Sequence, residues 1–207
     1  MTDPKPLTAE ELVALVSSRI CHDLVNPLGA ISNGVELLDM APDGAFGPEI
    51  TLIRDSVQNA NARLRFMRIA FGACQKGDML DVSDISTTLD AMSAGMRQTI
   101  QWTPTDRVPR SEVKLCFLLL QCLETAMPFG GAVVVSKSDA VWTLNARAER
   151  FAEIGPLWRI ITHADDVDNL AAAQVHFALA GAEQDAQAKR IDIVQDTGSI
   201  HVSIHPA

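Results

Sequence analysis

From Ile50 to Cys74 apolar residues recur at alternating intervals of three and four without a break: Ile50, Ile53, Val57, Ala60, Leu64, Met67, Phe71 and Cys74. This is a heptad seam, narrower than the stripe of an ordinary surface helix, and it requires another helix along it. Pro48 suits the first turn of such a helix, which the pattern carries to about residue 77. A partner helix precedes it. Thr8 followed by Glu11 is a capping box, and Leu7 and Leu12 are placed to staple it. Apolar periodicity then runs to about Met40, which predicts a helix roughly 50 Å long. Pro42-Asp43-Gly44 reads as a turn, so the two helices form an antiparallel hairpin. One hairpin leaves its seam uncovered, whereas two close a four-helix bundle. A homodimer through residues 8–77 is the expectation.

Beyond Gly77–Val82 the texture changes. Ser83–Gly95 reads as a helix and Thr99–Trp102 as a strand. Ser111 is placed to cap a helix to about Met127, apolar all round at its centre and therefore buried on both faces. Pro128-Phe129-Gly130-Gly131 ends it. Ala132–Ser136 and Val141–Ala146 form a hairpin around Lys137-Ser138-Asp139. Trp158–Thr162 reads as a further strand and Asn169–Gln187 as a helix. Arg190–Val194 and Ser199–Ile204 form a last hairpin. Helices on one side of a mostly antiparallel sheet make an α+β sandwich. The expected organisation is a helical hairpin over 1–77 and an α/β domain over 78–207.

Of the 207 residues 47% are apolar, enough for a sizeable core, and 17 Lys+Arg against 26 Asp+Glu leave a formal charge of −9. That balance argues against nucleic acid or an anionic membrane surface as the main partner. No apolar run approaches the roughly 20 residues that span a bilayer, and MTDPKPLTAEEL has no signal-peptide core, so a cytosolic protein is expected. Cys21, Cys74, Cys116 and Cys122 form no C-x-x-C pair and are expected to be reduced, buried thiols.

The chemistry lies in Arg19-Ile20-Cys21-His22-Asp23-Leu24-Val25-Asn26-Pro27. The apolar residues of this helix (Leu12, Val16, Ile20, Leu24, Leu28, Ile31, Val35 and Leu38) cluster in an arc of roughly 160°, and His22 falls about 180° from its centre. The imidazole therefore faces solvent. Its neighbours on that face, Ser18, Asn26, Gly29 and Asn33, are small or polar, so a bulky partner can approach. Pro27 removes one helical bond and crowds the carbonyl of Asp23, which predicts a kink just past His22. An exposed neutral imidazole is a nucleophile towards phosphorus. Asp23 can fix its tautomer, and Arg19, one turn earlier, can meet a phosphoryl oxygen. A metal site would need a second ligand near His22. Asn26 is a poor one and the second helix has no histidine, so no metal is expected.

His22-Asp23-Leu24-Val25-Asn26-Pro27 resembles the H-box of two-component histidine kinases, H-[ED]-x-x-[NT]-P, whose histidine is phosphorylated on a dimeric helical hairpin. Leu115–Gly131 (LCFLLLQCLETAMPFGG) resembles the helix carrying the kinase N-box and its Pro-x-Gly-Gly exit. The match departs where ATP would bind. Leu118 and Cys122 stand at the asparagine positions and offer no oxygen for Mg²⁺. No Gly-rich loop follows the Ala132–Ala146 hairpin, and Asp196-Thr197-Gly198 is explained as a turn.

A phosphoacceptor hairpin joined to a sandwich like the kinase ATPase (Bergerat) domain, without a working ATP site, resembles the ChpT-type bacterial histidine phosphotransferases. The resemblance implies a dimeric phosphorelay carrier that uses no ATP. His22 would take a phosphoryl group from the receiver domain of a hybrid kinase and pass it to a response-regulator aspartate. Asp23, Arg19 and Asn26 complete the implied site, and Mg²⁺ is expected on the partner receiver. Arg54, Arg65, Arg68 and Lys76 flank the seam and can steer an acidic receiver. His163, His176, His201 and His205 read as structural, and Asp165-Asp166-Asp168 as a solvated helix start. The alternatives are a non-catalytic dimeric adaptor for receiver domains and a histidine kinase with a divergent ATP site.

Overall fold

The computed structural model describes residues 7–40, 47–94, 97–163 and 170–206. The capping box forms as its spacing predicts: the Thr8 amide donates to Glu11 at 2.8 Å and the Glu11 amide to Thr8 Oγ1 at 3.2 Å. Helix α1 spans Ala9–Met40 and continues across Pro27 as one helix. Helix α2, Gly47–Ala70, lies back along it. The Pro42-Asp43-Gly44 turn falls outside the described residues. The two helices pack tightly at Gly34 of α1, where a methyl would stand 2.6 Å from Ile53 Cγ1.

α2 is shorter than its seam. Phe71 still donates to the Met67 carbonyl at 2.8 Å, but Cys74 lies in irregular chain beyond. Gly72 lies just past its end, where a Cβ would collide with the Arg68 carbonyl, which accepts from the Arg110 guanidinium at 2.7 Å. Lys76 is therefore not on α2.

The second half is the expected α+β sandwich. Its elements are β1 (Met79–Leu80), α3 (Val82–Ser93), β2 (Gln98–Trp102), β3 (Val108–Pro109), α4 (Arg110–Ala126), β4 (Gly131–Ser138), β5 (Val141–Arg147), α5 (Gly155–His163), α6 (Val175–Ala186), β6 (Lys189–Asp196) and β7 (Ser199–Pro206). A five-stranded sheet runs β2-β4-β5-β7-β6. Only the β2–β4 pair is parallel, and both expected hairpins are present. Period-2 alternation sends Val133, Val135, Trp142, Leu144, Ile200, Val202 and Ile204 into the core beneath the helices.

Four local expectations are corrected. Trp158–Thr162 is not a strand but part of α5. Pro156 sits in its first turn, and Trp158 and Ile161, three apart, are both buried, with Trp158 edge-on to Phe177 of α6 at 5.5 Å. α4 begins at Arg110, behind Pro109, with no side-chain cap from Ser111. The segment before α6 is a 3₁₀ turn, Ala172–Gln174. Cys21 is exposed, whereas Cys116 and Cys122 are buried and burial pushes both thiols up. All four thiols are free.

The core does not stop where the hairpin ends. Ala62, Phe66, Ile69 and Ala70 of α2 belong to the same buried cluster as α4 and the sheet. Phe66 stacks on Phe117, with ring centroids 4.6 Å apart. Leu7, expected only to staple the start of α1, packs against this cluster too.

Candidate functional site

Helical periodicity puts His22 on the outside of α1, with 76% of its side chain exposed. Ser18, Asn26, Gly29 and Asn33 share that open face. Asp23, one residue on, turns inward and is only 8% exposed. Its Oδ1 lies 3.1 Å from His22 Nδ1, and its Oδ2 accepts from Arg19 Nε at 2.7 Å. A carboxylate only accepts, so the His22–Asp23 bond requires the proton on Nδ1 and leaves the Nε2 lone pair free.

Arg19 is not turned towards solvent to await a phosphoryl group. It is 16% exposed, and its Nη1 donates to the Ala173 carbonyl at 2.7 Å, in the 3₁₀ turn before α6. Glu124 of α4 stands under the same group. Burial raises its pKa, Arg19 and Arg63 hold the rise back, and Asp23 adds to it. Arg63 in turn donates to Asn59 at 2.9 Å. Next along α4, Thr125 donates to the Gln121 carbonyl at 3.1 Å and meets His176 Nε2 at 3.1 Å. With its hydrogen so used, the Thr125 hydroxyl accepts from His176, which leaves His176 Nδ1 as a bare acceptor. Burial, aided by the Arg19 charge, pushes the His176 pKa down to about 3, so this ring is neutral.

The four expected site residues thus share one stretch of α1. Three of them, His22, Asp23 and Arg19, form a hydrogen-bonded chain, while Asn26 is exposed one turn on. Sequence reading missed Glu124 and the Ala173 carbonyl. Glu124 carried a signal, an acid close behind the apolar run Leu115–Leu120; a backbone carbonyl carries none.

The remaining candidates fall elsewhere. Arg54, Arg65 and Arg68 are exposed on α2 and Lys76 beyond it. Leu118 and Cys122 are wholly buried in α4. Thr197-Gly198 forms the turn between β6 and β7. His201 bonds Asn145, and His205 bonds Ser203 at 3.0 Å. The His163 side chain and the Asp165-Asp166-Asp168 cluster lie outside the described residues. Among the described residues no group of three His, Cys, Asp or Glu is placed to hold a metal ion, and no helix is long and apolar enough to cross a membrane.

Comparison with known proteins adds three findings. Residues 82–199 match the family model for the histidine phosphotransferase C-terminal domain. The protein phosphotransferase ChpT of Brucella abortus (strain 2308) is 39% identical over 137 residues, 65% of this chain and 65% of that protein. A bacterial phosphotransferase of known structure superposes with a TM-score of 0.81 at 30% identity, covering 99% of this chain and 100% of that one.

Proposed function

The chain belongs to the ChpT-type histidine phosphotransferase family, and from that membership we propose that it is a phosphorelay carrier whose acceptor is His22. The observation that carries this reading is an imidazole 76% exposed with its Nδ1 held by a buried carboxylate. Nε2 attacks the phosphorus of a receiver's aspartyl phosphate. The P–N bond forms, the bond from phosphorus to the aspartate oxygen breaks, and the receiver keeps its carboxylate. Asp23 steadies the ring as it gains positive charge. Transfer to a response-regulator aspartate reverses each step. Mg²⁺ belongs to the receiver, and no cofactor is held by this chain.

The working form proposed is a homodimer. Ile50, Val57 and Leu64, one heptad apart on α2, are exposed, as are Val25, Leu28 and Val35 on α1. Pairing two hairpins covers both rows. Asn26 sits on the face the receiver must approach, and the arginines of α2 supply steering charge to a chain of net charge −9. Partners are receiver domains, not nucleic acid or membrane, and the setting proposed is cytosolic.

The test is phosphotransfer from an autophosphorylating hybrid kinase with labelled ATP. Label is expected on the wild type only when the kinase is present, is chased onto a regulator, and is absent from His22→Ala. Label from ATP alone would instead indicate a divergent kinase. A stable receiver complex that never takes label would leave an adaptor.

A further inference from the structure

Arg19 joins two parts of the fold that the phosphotransfer chemistry alone does not require to be joined. Its Nε holds Asp23 and its Nη1 holds the carbonyl of Ala173, 154 residues away in sequence. We propose that the 3₁₀ turn before α6 sets the tautomer of His22 through Arg19 and Asp23, so that the second domain positions the acceptor nitrogen.

An arginine at i−4 to an aspartate on an exposed helix face has many rotamers and loses side-chain entropy in holding any one of them. The guanidinium here is planar and tethered at two nitrogens, so it cannot swing. Asp23 Oδ2 is thereby pinned, which fixes the carboxylate plane and leaves Oδ1 facing His22 Nδ1. The surroundings reinforce the arrangement. Glu124 of α4 supplies a second acid within reach of the Arg19 charge, and His176 of α6, buried and neutral, adds no competing cation. Across the junction α1 packs directly on the turn and on α6. The turn itself is closed by Gln174, whose amide donates to the Ala171 carbonyl at 2.8 Å and whose side chain accepts from the Ala171 amide at 3.4 Å.

The role differs from meeting a phosphoryl oxygen. Arg19 has committed Nε and one terminal nitrogen to the fold and acts as a positioning residue. Its consequence is regulatory: anything that shifts the turn, such as a partner seated on the second domain, frees Asp23 to rotate and lets the proton move to Nε2, which silences the nucleophile. The consequence for transfer rests on His22 being the acceptor; the strut itself does not.

The experiment is ¹⁵N-edited NMR of the His22 ring in full-length, unphosphorylated protein at neutral pH, with phosphotransfer rates beside it. The variants are Arg19→Met, Arg19→Lys and Gln174→Ala. The wild type should carry its proton mainly on Nδ1. Arg19→Met should move it towards Nε2 and slow labelling by about tenfold or more. Arg19→Lys, which keeps the charge beside Asp23 but cannot hold two partners in one plane, should move it part of the way. Gln174→Ala, which leaves His22, Asp23 and Arg19 themselves unchanged, should shift it in the same direction, and it carries the test if Arg19→Met does not fold. An unchanged tautomer in the folded variants overturns the proposal. Slowed labelling with an unchanged tautomer overturns it in favour of direct phosphoryl contact. A shifted tautomer in a protein that never takes label leaves the strut standing and removes the phosphotransfer reading instead.

Discussion

A carboxylate withdrawn from water needs partners for both oxygens, and Asp23 finds them on its own helix, in His22 and Arg19. Asp23→Asn keeps the shape but removes the charge that steadies the ring, and its amide can turn a donor towards Nδ1. The expected loss in transfer to His22 is about 10²-fold or more, with receiver binding retained, measured as the initial rate of labelling and a binding isotherm. A second residue reports through stability. Unfolded, an imidazole takes its proton near pH 6.5; His176 in the fold does so only near pH 3, because burial and then the Arg19 charge oppose it. The folded pKa is depressed, so stability present above pH 6.5 is lost as pH falls, at up to about 1.4 kcal/mol per unit. Denaturation midpoints at pH 7 and 5 should differ more for the wild type than for His176→Gln. That comparison cancels Glu124, whose raised carboxyl acts with the opposite sign from pH 4.5 upward. The helical part of this site was legible, because residues at i, i+3 and i+4 on one helix keep fixed relations. The contacts of Arg19 and Glu124 with the rest of the fold were not, because they depend on how α4 and the turn before α6 meet α1.

At the scale of elements, the seam of α2 divides into two rows. Ala60 and Met67 are buried and Ile53 partly so, whereas Ile50, Val57 and Leu64 remain 43%, 40% and 46% exposed. Charge placed on the outer row should abolish self-association without unfolding the hairpin. Val57→Glu with Leu64→Glu is expected to run as a folded monomer in light scattering and the wild type as a dimer; a monomeric wild type would refute the bundle. The two helical glycines make a matched pair. A side chain at Gly34 meets Ile53, whereas a methyl at Gly29 meets nothing within 4 Å. Gly34→Val should cost about 1–3 kcal/mol, and Gly29→Ala should add about 0.5–1 kcal/mol through helix propensity, both read by denaturant titration. Long periodic segments such as α1 and the β6–β7 hairpin announce themselves in sequence. Short ones do not. Ile160-Ile161-Thr162 has strand propensity, and packing against α6 overrides it. The two-residue strands β1 and β3 are too short to have a period.

For the whole molecule the question is where one folding unit ends. A boundary near residue 77 separates helices from strands in the sequence, yet the buried cluster crosses it through Ala62, Phe66, Ile69 and Ala70. The hairpin's outer half, by contrast, is thinly covered: Val25, Leu28 and Val35 lie open on α1. Folding free energy is therefore concentrated where α2 enters the sandwich, and the far end of the hairpin depends on it and, in the proposed dimer, on pairing with a second copy. Two consequences can be measured. Phe66→Ala removes a ring stacked on Phe117 and should destabilise the whole chain by about 3–5 kcal/mol, not the hairpin alone. Residues 78–207 expressed by themselves would leave the surface around Phe117 uncovered, and they should show poor amide dispersion or bind a hydrophobic dye. Unfolding of the full chain, followed by far-ultraviolet circular dichroism and by fluorescence of Trp102, Trp142 and Trp158, should give coincident transitions, because one probe reports helices and the other the core they share. Two separated transitions, together with a well-folded 78–207 fragment, would show instead that the hairpin is an appended unit. The route from Ala173 through Arg19 to His22 would then have to work across a junction that opens before either side unfolds.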